Sequence, residues 1–235
     1  MKAKFVLPLM MAMALVGCGN SAPADPGPVV PPGPTGEYTV TINFNDFADY
    51  DGQRKASEDG PRAKLTEDIK AKLVKPNGSS LITENGLTYG DTSTKNTQIL
   101  KVGYQYTEGA ETCSERNCIV LGTTSKAGEL HFEFVDTLLK ADVYANAYYS
   151  WGNTSGSFQQ VRDKGSNVTV NGETLEVAQV HGAAAADPSY DEPEMQHKEF
   201  DIDGTALDIS NEVSSSSSKK RVIIQKMVLT FTTAK

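Results

Sequence analysis

Tyr144, Tyr148, Tyr149 and Trp151 lie close together in the chain, and a polar loop, Gly152-Asn153-Thr154-Ser155-Gly156-Ser157, follows at once. Rings and side-chain amides in one place suit a polyhydroxylated ligand. The rings cover its C–H faces, while amides and hydroxyls take its hydroxyl groups. Side chains alternate along a strand, so Val143, Ala145, Ala147, Tyr149 and Trp151 would share one face and Tyr144, Asn146, Tyr148 and Ser150 the other. The first face is mostly apolar and reads as core. Tyr144, Asn146 and Tyr148, with Trp151 and Asn153 beside the loop, form the candidate ligand-binding group. The competing reading is aromatic pairing between strands, since rings are favoured in sheets for their packing alone.

Three acidic segments are the second candidate: Asp49-Tyr50-Asp51-Gly52, Asp187 to Glu194, and Asp201-Ile202-Asp203-Gly204. Each offers oxygen ligands at short spacing, so a structural Ca²⁺ is the one metal the sequence suggests, although none matches the EF-hand pattern. The competing reading is solvated turns, where Asp and Gly are common. Two carboxylates from different loops could act as acid and base on a glycosidic bond, but only at a separation that spacing does not set. No catalytic residue is therefore named, and no cofactor is required. There is no Gly-x-Ser-x-Gly elbow, no His-Glu-x-x-His and no phosphate-cradling glycine loop. His131, between Glu129 and Glu133 on the polar side of an alternating stretch, reads as a solvent-facing histidine.

The elements that must hold these residues are mostly strands. Tyr38, Val40, Ile42 and Phe44 alternate with polar residues, as do Leu130, Phe132 and Phe134. Val168 to Val170, then Asn171-Gly172, then Glu173 to Val177 predicts a hairpin, because Asn-Gly accepts the positive φ angles of a type I′ turn. Ala141 to Trp151 and Arg221 to Thr232 predict strands, and shorter ones are expected at Gln98 to Val102, Cys118 to Leu121, Glu199 to Ile202 and Leu207 to Ser210. Leu65, Ile69 and Leu73, with Pro76 beyond, predict one short helix. Ser214 to Ser218 reads as a loop. The fold class expected is all-β, an antiparallel β-sandwich.

The strand Gln98 to Gly103, the strand Gly128 to Phe134, the long strand Lys140 to Ser150, the turn Val170 to Gly172 and the closing stretch Lys220 to Ile224 together resemble jelly-roll modules of exported bacterial proteins, carbohydrate-binding ones included. The resemblance implies a jelly roll with its first and last strands close together. The segment Gly182 to His197 departs from it.

The chain has 235 residues and a formal net charge of −8. An acidic surface repels phosphate backbones, so nucleic acid is a poor partner. The triplet Lys219, Lys220, Arg221 is too short to reverse this and reads as the solvated start of a strand. Lys2 and Lys4 precede an apolar run, Phe5 to Val16, that is shorter than the ~20 residues needed to span a bilayer. The run ends in Leu15-Val16-Gly17-Cys18, which resembles the lipobox of bacterial lipoproteins at all four positions. That resemblance implies a diacylglycerol group on Cys18 and cleavage after Gly17. The expected parts are a signal peptide (1–17), the lipidated Cys18 with a proline-rich tether (18–36), and a β-sandwich domain (37–235). A second acyl chain makes such an anchor firm where one is marginal.

Cys18 belongs to that signal, which leaves Cys113 and Cys118. In an exported chain a pair this close is most simply a disulfide. Zinc would need four ligands, and no histidine stands at a metal spacing. The expected whole is a cell-envelope lipoprotein, anchored to a bacterial membrane and facing the periplasm or the exterior. It would act as a non-enzymatic binding module for a polysaccharide or glycan. The alternatives are a structural or host-interaction lipoprotein that meets a surface protein, or a glycan hydrolase.

Overall fold

A computed structural model describes residues 36–47, 59–90, 97–103, 115–154, 157–179, 195–215 and 217–233. The expected signal peptide, Cys18 and the proline-rich tether lie outside them, as do Cys113 and the acidic segments at 49–52 and 187–194.

The strands are β1 (Glu37–Asn43), β2 (Ile82–Thr88), β3 (Thr97–Gly103), β4 (Glu115–Leu121), β5 (Glu129–Ala147), β6 (Tyr149–Thr154), β7 (Ser157–Arg162), β8 (Ser166–Val170), β9 (Glu173–Val177), β10 (Gln196–Asn211) and β11 (Val222–Thr232). A 3-10 turn at Phe44–Asp46 follows β1, and the helix α1 covers Asp59–Lys72. The fold is all-β and antiparallel with one short helix, as expected. β2 and β7 have no counterpart among the expected strands.

One large sheet runs β3-β4-β11-β5-β10-β8-β9, with β1 added on β11 and β2 on β5. β11 lies against β4 over Val222–Ile224 and against β1 over Lys226–Thr232. The sheet thus changes partners along its own long strands and folds around a main core, as a sandwich does. The first and last strands are neighbours, Glu37 standing opposite Thr232.

The long strands explain why sequence periodicity breaks them up. On β5 the buried apolar positions are even up to Leu138 and odd from Ala141. A one-residue slip would turn every later side chain outward. Here the register shifts against both neighbours around Leu138 and Lys140, so an irregularity absorbs the extra residue and the apolar side stays inward. β10 changes parity in step, buried at Phe200 and then at Leu207 and Ile209, with Asp203 at φ 49° between them. The two short strands expected at Glu199–Ile202 and Leu207–Ser210 are therefore one strand with an irregular centre. Asp201 to Gly204 forms that centre rather than a connecting turn.

Phe132, Phe134, Val143, Phe200, Ile209, Leu229 and Phe231 belong to one buried cluster. Leu65, Ile69 and Leu73 of the helical stripe join it, each fully buried. The predicted hairpin is present: Asn171 (φ 45°) and Gly172 (φ 89°) join β8 to β9. Tyr149 corrects the expected face assignment. The strand is interrupted at Tyr148, and Tyr149 packs with Cys118, Val120 and Ile223 in a second cluster, apart from Ala147 and the main core.

Candidate functional site

β5 sets Asp142, Tyr144 and Asn146 off the main core, as the alternation predicts, and Tyr148 follows directly after the strand. Their surroundings differ from an open platform. The register sets Tyr144 between His197 of β10 and Lys226 of β11. The His197 ring stacks on it at 4.5 Å and 4°, and the Lys226 ammonium lies 3.7 Å from the ring centroid. Asp142 receives His197 Nδ1 at 2.9 Å and, through its hydrogen bond to Tyr144, raises the phenol pKa. Tyr148 carries the Arg221 guanidinium 3.8 Å from its ring centroid. Both rings are thus engaged by the protein's own cations, worth about 0.5–2 kcal/mol each. Trp151 and Asn153 lie on β6, and their side chains fall outside the described residues. The structure places Tyr144 and Asn146 on β5 and Tyr148 directly after its end.

Lys220 and Arg221 are not simply solvated, contrary to the reading of the basic triplet. Arg221 donates to Asp163 through Nε at 2.7 Å and Nη2 at 2.9 Å, and Lys220 pairs with Glu212.

Asn146 leads to a different place. It is 1% exposed, and its Oδ1 accepts from the Gln196 backbone N at 3.3 Å and from Gln196 Nε2 at 3.0 Å. The other end of the Gln196 amide accepts from the Ala178 N–H at 3.1 Å. Gln196 lines a cleft of about 470 Å³ where β8, β9 and the start of β10 meet the chain around Glu212 and Lys220. Asn167, in the same wall, donates to Glu212 at 2.6 Å, which also holds Lys220. Glu176 stands exposed on the lining. Ser166 is 5% exposed in the wall, and its Oγ has no hydrogen-bond partner among the described residues. Periodicity misses this cleft because its parts are distant in sequence. The Asn-Gly hairpin that builds one wall is its only local sign.

A primary amide has two donor hydrogens and two acceptor lone pairs. Gln196 uses one donor on Asn146 and one lone pair on Ala178, so its orientation is fixed while one of each remains among the described residues. A fixed donor beside an acceptor matches two adjacent hydroxyl groups. Such preorganisation reduces the ordering cost of binding.

A smaller cavity of about 280 Å³ contains His131. The expected solvent-facing histidine has two carboxylate neighbours: Nδ1 lies 2.6 Å from Asp208 Oδ1 and Nε2 3.6 Å from Glu133 Oε1. The hydrogen bond to Asp208 is the main reason the His131 pKa rises above its usual 6.5, assisted by the charges of Asp208 and Glu133. The folded-state pKa exceeds the unfolded one, so the stabilisation is fully present below about pH 6.5 and disappears as pH rises through the folded value. Urea midpoints of wild type and His131→Gln should accordingly differ at pH 5.5 and converge by pH 9. A gap that widens with pH would contradict this.

Of the three acidic segments, only Asp201–Gly204 is described, with Asp201 4.0 Å from Lys140. Among the described residues, no group of three or more His, Cys, Asp or Glu is placed to hold a metal ion. Cys118 is buried on β4, and its expected partner Cys113 is outside the described residues.

No protein-family model matches the sequence, and no curated protein matches it. Solved structures with some likeness include a family 35 carbohydrate-binding module from Clostridium thermocellum. It is 11% identical, with a TM-score of 0.31, covering 61% of this chain and 90% of that one. TmCBM61 in complex with β-1,4-galactotriose is 9% identical, with a TM-score of 0.29, covering 64% and 98%. A cyclase from Fischerella sp. TAU is 12% identical, with a TM-score of 0.33, covering 66% and 89%. Likenesses this distant do not decide a ligand.

Proposed function

We propose that this chain is an exported lipoprotein, cleaved before Cys18 and held by lipid on that cysteine, whose β-sandwich is a non-enzymatic binding module for a glycan. The anchor rests on the ordered sequence signal: two lysines, an apolar run and Leu15-Val16-Gly17-Cys18. It would place the domain in the cell envelope, on the periplasmic or outer side of a membrane. A Cys113–Cys118 disulfide is proposed on the same premise.

The observation that supports glycan binding is the Gln196 amide, held at one end by Asn146 and at the other by Ala178 in the wall of a polar cleft. The proposed site accordingly moves from the tyrosine rings to Gln196, Asn167 and Ser166, with Asn146 as the support behind. The experiment is affinity electrophoresis of the purified domain through gels containing soluble polysaccharides. Retardation by at least one polymer is expected, and Gln196→Ala should weaken it at least tenfold, or about 1.4 kcal/mol, with the urea midpoint measured as a folding control. Retardation by no polymer would remove the glycan reading in favour of a surface lipoprotein without a small ligand. The anchor is tested separately: wild type should partition with membranes and Cys18→Ser should not.

A further inference from the structure

We infer that the cleft selects uncharged glycans and rejects those bearing carboxylates or sulfates, an inference that rests on the glycan reading above. The lining carries two carboxylates, Glu176 and Glu212, and one ammonium, Lys220. That ammonium is bound to Glu212, and Glu212 also takes the Asn167 amide. Lys164 and Lys219 are exposed nearby in sequence but are not among the lining residues. Among the described residues, no lining cation is therefore left to receive an anionic sugar, and Glu176 stands exposed to meet one.

The remaining groups suit hydroxyls. Among the described residues, Gln196 keeps a donor hydrogen and a lone pair, and the buried Ser166 hydroxyl, which can both donate and accept, is without a partner in the same wall. An anionic ligand needs charge-assisted donors, ideally a guanidinium fork, whereas a neutral diol is matched by an amide edge. Arg221, next to Lys220 in sequence, is committed to Asp163 and Tyr148. The net charge of −8 adds long-range repulsion of polyanions in the same direction.

The test uses affinity gels containing neutral polymers (a soluble β-glucan, a galactomannan, a xylan) and acidic ones (polygalacturonate, a sulfated galactan), at low salt and at 0.5 M salt. Wild type should be retarded by a neutral polymer with little salt dependence and by neither acidic polymer at either salt. Glu176→Gln should raise acidic binding from undetectable to measurable. If an acidic polymer retards wild type as strongly as a neutral one, with the retardation lost in Gln196→Ala, the selectivity is overturned while the glycan reading stands. If no polymer of either kind retards wild type, the glycan reading itself falls. Unchanged exclusion of acidic polymers by Glu176→Gln would overturn the role given to Glu176.

Discussion

Replacing Asp163 with alanine is expected to cost about 3–5 kcal/mol, the range for stranding one member of a buried ion pair. The Asp163 side chain is fully buried, and its two oxygens accept three hydrogen bonds from one residue: Arg221 Nε, Nη2 and backbone N. Burial alone would lower the Arg221 pKa, but Asp163 outweighs it and the net shift is upward. The guanidinium therefore stays charged in a site that has no second carboxylate within these contacts. For a domain of this size the loss corresponds to a fall in Tm of about 6–20 °C. The check is urea denaturation at pH 7 with the m-value held as a control. Asp163→Ala combined with Arg221→Met should recover part of the loss, because it removes the stranded charge. A single-variant loss below 1 kcal/mol would show that water reaches the guanidinium.

Phe231→Ala is expected to cost a similar amount, about 3–5 kcal/mol, through lost burial and the cavity left behind. Phe231 is fully buried near the end of β11. Its ring stacks on Tyr38 of β1 at 5.6 Å and meets Phe134 of β5 edge-on at 4.9 Å. It therefore ties three strands together, and alanine cannot fill the space. Phe231→Leu should cost less than half as much, since most of the volume is kept. Equal losses for the two variants would mean that ring geometry, rather than volume, dominates the site.

The elements legible in sequence were those in which a local rule acts alone. The four-residue stripe of Leu65, Ile69 and Leu73 became a buried helix face, and Asn171-Gly172 became the turn it predicts. β5 and β10 were divided because an irregular centre changes the parity of buried positions, and a period-two reading takes that change as an end. Tyr149 was misplaced for the same reason, since the alternation stops at Tyr148. Alternation places Tyr144, Asn146 and Tyr148 off the main core, but Asn146 is buried rather than outward, and the partners of the two rings were not legible. His197, Lys226 and Arg221 reach the two tyrosines across strands whose register no local pattern encodes. Gln196 was invisible for a related reason. It matters only because Asn146 and Ala178, far apart in the chain, both close on it.

The pairing of Glu37 with Thr232 has a consequence for the order of events during folding. β11, the hydrogen-bonding partner of β1, is the described strand farthest from it along the chain, and contacts this remote form late because the intervening loop must first be closed. Until then β1 has no ladder to join.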